Sequence, residues 1–173
     1  MKMQAIAFAC LVLALTPGSG MAADKETFGI PNASFPEPGL MAAGQPTGEQ
    51  IQLAAEDGYR TVIDLRPVDE SRGYDEPAAA KANGLEYINI PVTGASLDQA
   101  TVDRFLDTMR KAERPVLLHC ASSNRVGALY YAWLVLEKGA KPEEALTKAK
   151  AAGLKSPELV EKMRKLVAER KPR

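Results

Sequence analysis

The sequence predicts an α/β fold with a mostly parallel central sheet flanked by helices. Short apolar runs at Thr61–Leu65, Tyr87–Ile90 and Val116–Leu118 are separated by longer helix-like segments, and strands joined by helical crossovers pair in parallel. The segment Val126–Glu137 is apolar almost all round, as a central helix is. Between the third of those runs and that helix lies His119–Gly127, HCASSNRVG, at the carboxyl end of a strand, where such sheets hold their ligands.

The elements follow in order. Residues 1–23 have the layout of a secretory signal peptide: Lys2, an apolar core from Ala5 to Leu15, and small residues at Gly20-Met21-Ala22-Ala23, with cleavage after Ala22 or Ala23. That core is too short for a stable membrane anchor. Cys10, preceded by Phe8-Ala9, falls too early to be a lipoprotein cysteine. The expectation is export to the periplasm of one α/β domain over residues 24–173, about 150 residues around a single core. Asp24–Gly39, interspersed with proline and glycine, reads as an extended lead-in, and Leu40–Ala43 as a short first strand. Thr47 is placed as an N-cap, with Glu49 and Gln50 in the first turn of a helix that stops near Gly58. Thr61–Leu65 is a buried strand, Glu76–Ala82 a short helix ended by Asn83-Gly84, and Tyr87–Ile90 another strand. Val102, Phe105, Leu106 and Met109 form one stripe of a helix that begins near Leu97. Towards the end, Leu159, Val160, Met163, Leu166 and Val167 fall at helical spacing beneath Lys162, Arg164, Lys165, Arg170, Lys171 and Arg173. An amphipathic helix with a solvated basic face accounts for that pattern.

Composition narrows the function. Lys and Arg total 22 and so do Asp and Glu, so no nucleic-acid footprint is expected. Of the two cysteines, Cys10 leaves with the leader, and Cys120 then has no partner for an internal disulfide in an oxidising compartment. An unpaired thiol there argues for chemistry. One histidine and one remaining cysteine make no metal-ligand cluster, and neither metal nor cofactor is expected.

The loop itself suggests that chemistry. Ala121, Ser122, Ser123 and Asn124 cannot continue a strand and also complete a helical turn, so they wrap, and their N–H groups are expected to face inward for want of a strand partner. The helix that begins near Arg125 adds the positive end of its dipole. Such surroundings favour a thiolate, making Cys120 the expected nucleophile. Arg125 supplies a planar fork for two oxygens of an oxyanion. His119 is expected to orient the loop from behind, and Asp64 and Arg66 to pair with each other or brace it.

Four segments together resemble the protein tyrosine phosphatase superfamily: Ala-Gly-Gln-Pro at 43–46, Thr-Val-Ile-Asp-Leu-Arg-Pro at 61–67, Ile-Pro-Val at 90–92, and Pro-Val-Leu-Leu-His-Cys at 115–120. Within it the chain is most similar to the bacterial beta-lactamase-hydrolase-like phosphatase domain. The resemblance implies a dual-specificity-phosphatase-like fold, a phosphorylated substrate (phosphotyrosine or another phosphoprotein), attack by Cys120 on phosphorus, and a phosphoryl group held by Arg125 and residues Ala121 to Asn124. A thiophosphate intermediate is then hydrolysed.

The chain departs from that pattern at three points. Most of the superfamily places one residue more between cysteine and arginine; beta-lactamase-hydrolase-like members share the shorter loop, typically with glycine where this chain has Ser123. Asn124 is the residue expected to take the left-handed conformation. The hydroxyl that usually follows the arginine is replaced by Val126, leaving Ser122 or Ser123 to assist thiolate departure. Asp98 is the candidate general acid for the leaving oxygen, with Asp69, Glu70 and Asp75 as alternatives. Because rhodanese-like sulfurtransferases use a loop of similar length, a persulfide on Cys120 is a second enzymatic reading. A catalytically poor module that binds a phosphoprotein or small oxyanion is a third.

Overall fold

The computed structural model describes residues 27–170, so the expected leader and Cys10 lie outside the described residues. Five strands, β1 (Ser34–Glu37), β2 (Leu40–Ala43), β3 (Thr61–Asp64), β4 (Glu86–Asn89) and β5 (Val116–His119), form one sheet in the order β1-β2-β5-β3-β4. β1 runs antiparallel to β2; every other pair is parallel. The helices are α1 (Gly48–Glu56), α2 (Glu76–Ala82), α3 (Gln99–Lys111), α4 (Asn124–Leu136), α5 (Pro142–Ala151) and α6 (Pro157–Ala168).

Strand alternation divides the interior into two cores. On β2, Leu40 and Ala42 enter one core while Met41 and Ala43 enter the other; on β5, Val116 and Leu118 oppose Leu117. The first core is completed by Phe105 of α3, Leu129 of α4, Ala145 of α5 and Met163 of α6. The second is covered by Ile51 and Ala54 of α1 and Ala80 of α2. Helix α4 buries Val126 through Leu134 without a break, which explains its lack of a polar face.

Sequence and structure differ in instructive places. The lead-in contains β1, which pairs with β2 despite Pro36. Such an antiparallel edge strand tolerates Pro36 because one of its sides needs no donor. Helix α5, unassigned from sequence, opens with Pro142 and carries Glu143 and Glu144 in its first turn, the arrangement a helix N-terminus favours. Helix α3 starts one residue after Asp98, which caps it. Among the described residues no helix is long and apolar enough to cross a membrane.

Candidate active site

β5 is flanked by β2 and β3 in register, so His119 lies between Ala43 and Asp64. Alternation then sends neighbouring residues to opposite sides. Cys120 joins the α3–α6 core and is only 1% exposed. His119 points to the α2 side, where Glu76 Oε1 lies 2.8 Å from its Nε2 and Asp64 Oδ1 lies 3.8 Å away. The Glu76 contact is not aligned with the ring N–H, and Glu76 Oε1 and both His119 nitrogens complete no directed hydrogen bond.

That buried polar cluster is closed by Arg72. Its Nε and Nη2 bind Asp64 Oδ2 at 2.8 and 2.5 Å, and Nε lies 3.6 Å from Glu76 Oε2. Tyr87 Oη also donates to Asp64 Oδ2, at 2.8 Å, and Arg66 N–H donates to Oδ1. Burial and Asp64 hold the Tyr87 hydroxyl far above its ordinary value. Asp64, Glu76 and His119 offer ligand atoms within 4.8 Å of one another, but the guanidinium already supplies the charge a cation would bring. Arg72 Nη1 further gathers the carbonyls of Pro67, Val68 and Glu70, shaping the loop after β3 around itself.

This loop delivers Glu70 to the thiol side. Arg125 Nη1 and Nη2 donate to the two Glu70 oxygens at 2.9 Å each, Nη1 also donates to Val92 O at 3.1 Å, and Arg66 Nε donates to Glu70 Oε1 at 2.7 Å. The Arg125 hydrogen bonds, opposed by burial and assisted by Arg66, pull the Glu70 carboxyl down to about 2. In Arg125, burial works against the charge, but Glu70 and the nearby Cys120 outweigh it and hold the guanidinium above its ordinary value. The expected pairing of Asp64 with the Arg66 side chain is replaced by two ion pairs, Asp64 with Arg72 and Arg66 with Glu70. Arg66 also contacts Gln45 Oε1 and Ser71 O.

The loop between Cys120 and Arg125 corrects three expectations. Ser122 does have a strand partner, an isolated antiparallel bridge to Gly44, and Gln45 N–H donates to Ala121 O at 3.2 Å. The left-handed residue is Ser123, at φ 64°, and not Asn124, which already begins α4. Such a backbone costs a residue with a side chain about 1–2 kcal/mol. The Ser123 hydroxyl donates to Ala152 O at 2.8 Å, while Asn124 Oδ1 accepts from Lys155 N–H and Ser156 N–H at 2.8 and 3.1 Å. Both side chains are therefore bonded to the α5–α6 connection. Ser123 sits at the N-cap of α4 yet makes no capping bond, and the first bond across the α4 start is Gly127 N–H to Ser123 O. The N–H groups of Asn124, Arg125 and Val126 consequently form an open helix N-terminus beside the thiol. The Val126 side chain is fully buried in the core.

Asp98, the candidate general acid, is the N-cap of α3. Its carboxylate accepts Thr101 N–H at 2.8 Å, a bond that lowers its pKa, and it is exposed beside a groove between the β4–α3 loop and Lys162 and Leu166 of α6. Asp75 similarly caps α2 through Ala78 N–H. Sequence reasoning missed Glu76 and Arg72 and ranked Glu70 low; Glu76 and Glu70 act on His119 and Arg125, distant in the chain, which no local pattern reports, and Arg72 folds its own loop back onto Asp64 and Glu76.

A mostly parallel sheet whose central strand leads directly into Cys120, an open helix N-terminus and a carboxylate-held arginine defines the class of dual-specificity and tyrosine-phosphatase-type folds. Residues 33–167 match the family model PTP-NADK, a DSP-PTPase phosphatase fused to NAD+ kinase, and the chain belongs to that family. The beta-lactamase hydrolase-like protein of Xylella fastidiosa (strain Temecula1) is 37% identical over 109 residues, covering 61% of this chain and 25% of that protein. The namesake protein of Agrobacterium fabrum is 35% identical over 95 residues, covering 53% and 22%. The matched region thus spans about a quarter of the length of these relatives. Among solved structures, Tk-PTP in its active form superposes with a TM-score of 0.67 at 21% identity, over 80% of this chain and 98% of its own. TpbA of P. aeruginosa, solved in complex with pTyr, gives 0.64 at 20% identity, over 80% and 83%. The sulfurtransferase alternative finds no support in these matches.

Proposed function

We propose that the protein hydrolyses phosphomonoesters, phosphotyrosine among them, through a covalent intermediate on Cys120. The observation that carries this reading is the pairing of an uncapped α4 N-terminus with Arg125, whose Nη1 and Nη2 are held by Glu70. Held in place by Glu70 beside Cys120, this guanidinium is the side chain of the loop suited to phosphoryl oxygens. The phosphotyrosine complex of TpbA, a protein of the same fold, supports the substrate class.

In the first step Cys120 Sγ attacks phosphorus, the S–P bond forms, and the ester P–O bond breaks with its electron pair on the leaving oxygen. The N–H groups of Asn124 to Val126 and Arg125 hold the three non-bridging oxygens as charge develops. Water then attacks phosphorus, its proton passes to solvent, the S–P bond breaks, and phosphate leaves with the thiolate restored. Glu70, held ionised, positions Arg125 and donates no proton. Asp98 is engaged as a cap, so leaving groups that depart without strong protonation, such as aryl oxides, are favoured. The buried Val126 and the engaged Ser123 hydroxyl leave only Ser122 to assist thiolate departure. These same features favour a second reading, an oxyanion-binding module with slow turnover.

Turnover of an aryl phosphate, run beside thiosulfate with cyanide, tests the proposal. Phosphate release is expected to vanish in Cys120→Ser and to persist in Asp98→Asn. Thiocyanate release without phosphate release would transfer the protein to sulfur chemistry. Tight phosphate binding with no release favours the module.

A further inference from the structure

We propose that the α5–α6 turn, Ala152 to Ser156, is a brace that keeps the Cys120 loop open for an anion, with Ser123 and Asn124 as positioning residues acting through it. The proposal rests on the reading of this loop as an oxyanion cradle.

Serine at an N-cap ordinarily turns its hydroxyl onto the N–H groups of its own helix. Those are the groups an incoming oxyanion needs. Here Ser123 is fully buried and its hydroxyl is drawn the other way, onto Ala152 O at 2.8 Å. The brace thus removes the internal competitor for the cradle. It also holds the left-handed backbone of Ser123, φ 64°, that turns the chain from the thiol into α4.

Further contacts seat the turn. Asn124 Oδ1 accepts both Lys155 N–H and Ser156 N–H, and Ser156 Oγ in turn caps α6 through Leu159 N–H. Gly153, at φ 108°, lies so close to Ser123 that a Cβ on it would stand 2.5 Å from Ser123 Cβ and 2.8 Å from Ser123 O. A Cβ on Gly127 would stand 2.5 Å from Leu154 N. The turn and the loop therefore fit only as one shape. Neither Ser123 nor Asn124 spends its side chain on the anion; each fixes where the backbone N–H groups point.

Tungstate affinity by calorimetry, with NMR order parameters for the backbone of Ala121 to Val126, tests the brace in the full chain. Ser123→Ala removes the hydroxyl but keeps the conformational cost, and is expected to weaken tungstate binding at least about tenfold. Ser123→Gly removes both, since glycine adopts positive φ freely, and is expected to bind within about threefold of wild type. Asn124→Ala is expected to weaken binding and lower the order parameters of the loop. Ser123→Ala and Asn124→Ala variants that bind as wild type, or a Ser123→Gly as weak as Ser123→Ala, would overturn the brace. Should wild type itself ignore tungstate, the cradle reading fails; the order parameters still decide the brace, which falls if Asn124→Ala leaves them unchanged.

Discussion

At the scale of single residues, Glu70 joins two arginines that reach it from different parts of the chain, Arg66 and Arg125. Its carboxyl lies at about 2 against an ordinary 4.5. A carboxyl depressed by folding stabilises the protein at every pH above its unfolded value and gives that contribution up as pH falls towards the folded one. Urea midpoints of the wild type should therefore drop between pH 4.5 and 2 more steeply than those of Glu70→Gln. Parallel curves would show that the pair contributes nothing in solution. Cys120 and Arg125 were legible in the sequence because a nucleophile, a small-residue turn and an arginine are close neighbours there. The orientation of Ser123 and Asn124 was not, because the atoms that attract their side chains belong to residues 152, 155 and 156.

Among the elements, α4 is the one whose packing constrains the site most. Gly127 lies one turn into it, and a Cβ there would stand 2.5 Å from Leu154 N and 2.6 Å from Ala149 O. Glycine to alanine inside a helix ordinarily gains about 1 kcal/mol. In this position backbone must move, so Gly127→Ala is expected to cost about 1–3 kcal/mol net, read as a lowered urea midpoint; a rise would mean that α4 and α5 separate easily. One cap was well signalled in the sequence: Thr47, placed there as an N-cap, forms a complete capping box with Gln50. β1 escaped notice because Pro36 argues against a strand, and only its edge position makes that proline tolerable. α5 escaped because its alanines, Ala145 and Ala149, bury a stripe too small to stand out as amphipathic.

For the molecule as a whole, the parallel topology made the fold class readable, since alternating strands and helices leave few ways to connect. The buried set of Asp64, Arg72, Glu76 and His119 was hidden because three segments must meet before it exists. If the assembled cradle holds an oxyanion, tungstate at 100 times its dissociation constant should stabilise the fold by about 2.7 kcal/mol and raise the melting temperature by about 5–10 °C. Arg125→Ala should abolish that rise, and a shift that survives the substitution would place the anion elsewhere. The bond from Ser156 N–H to Asn124 spans 32 residues, and this has a consequence in time. A chain made from its N-terminus carries the thiol, the arginine and the central sheet before it carries the turn that shapes the loop. During synthesis Cys120 therefore exists for a while without the turn that braces its loop, and the loop gains its final shape only when α5 and α6 arrive.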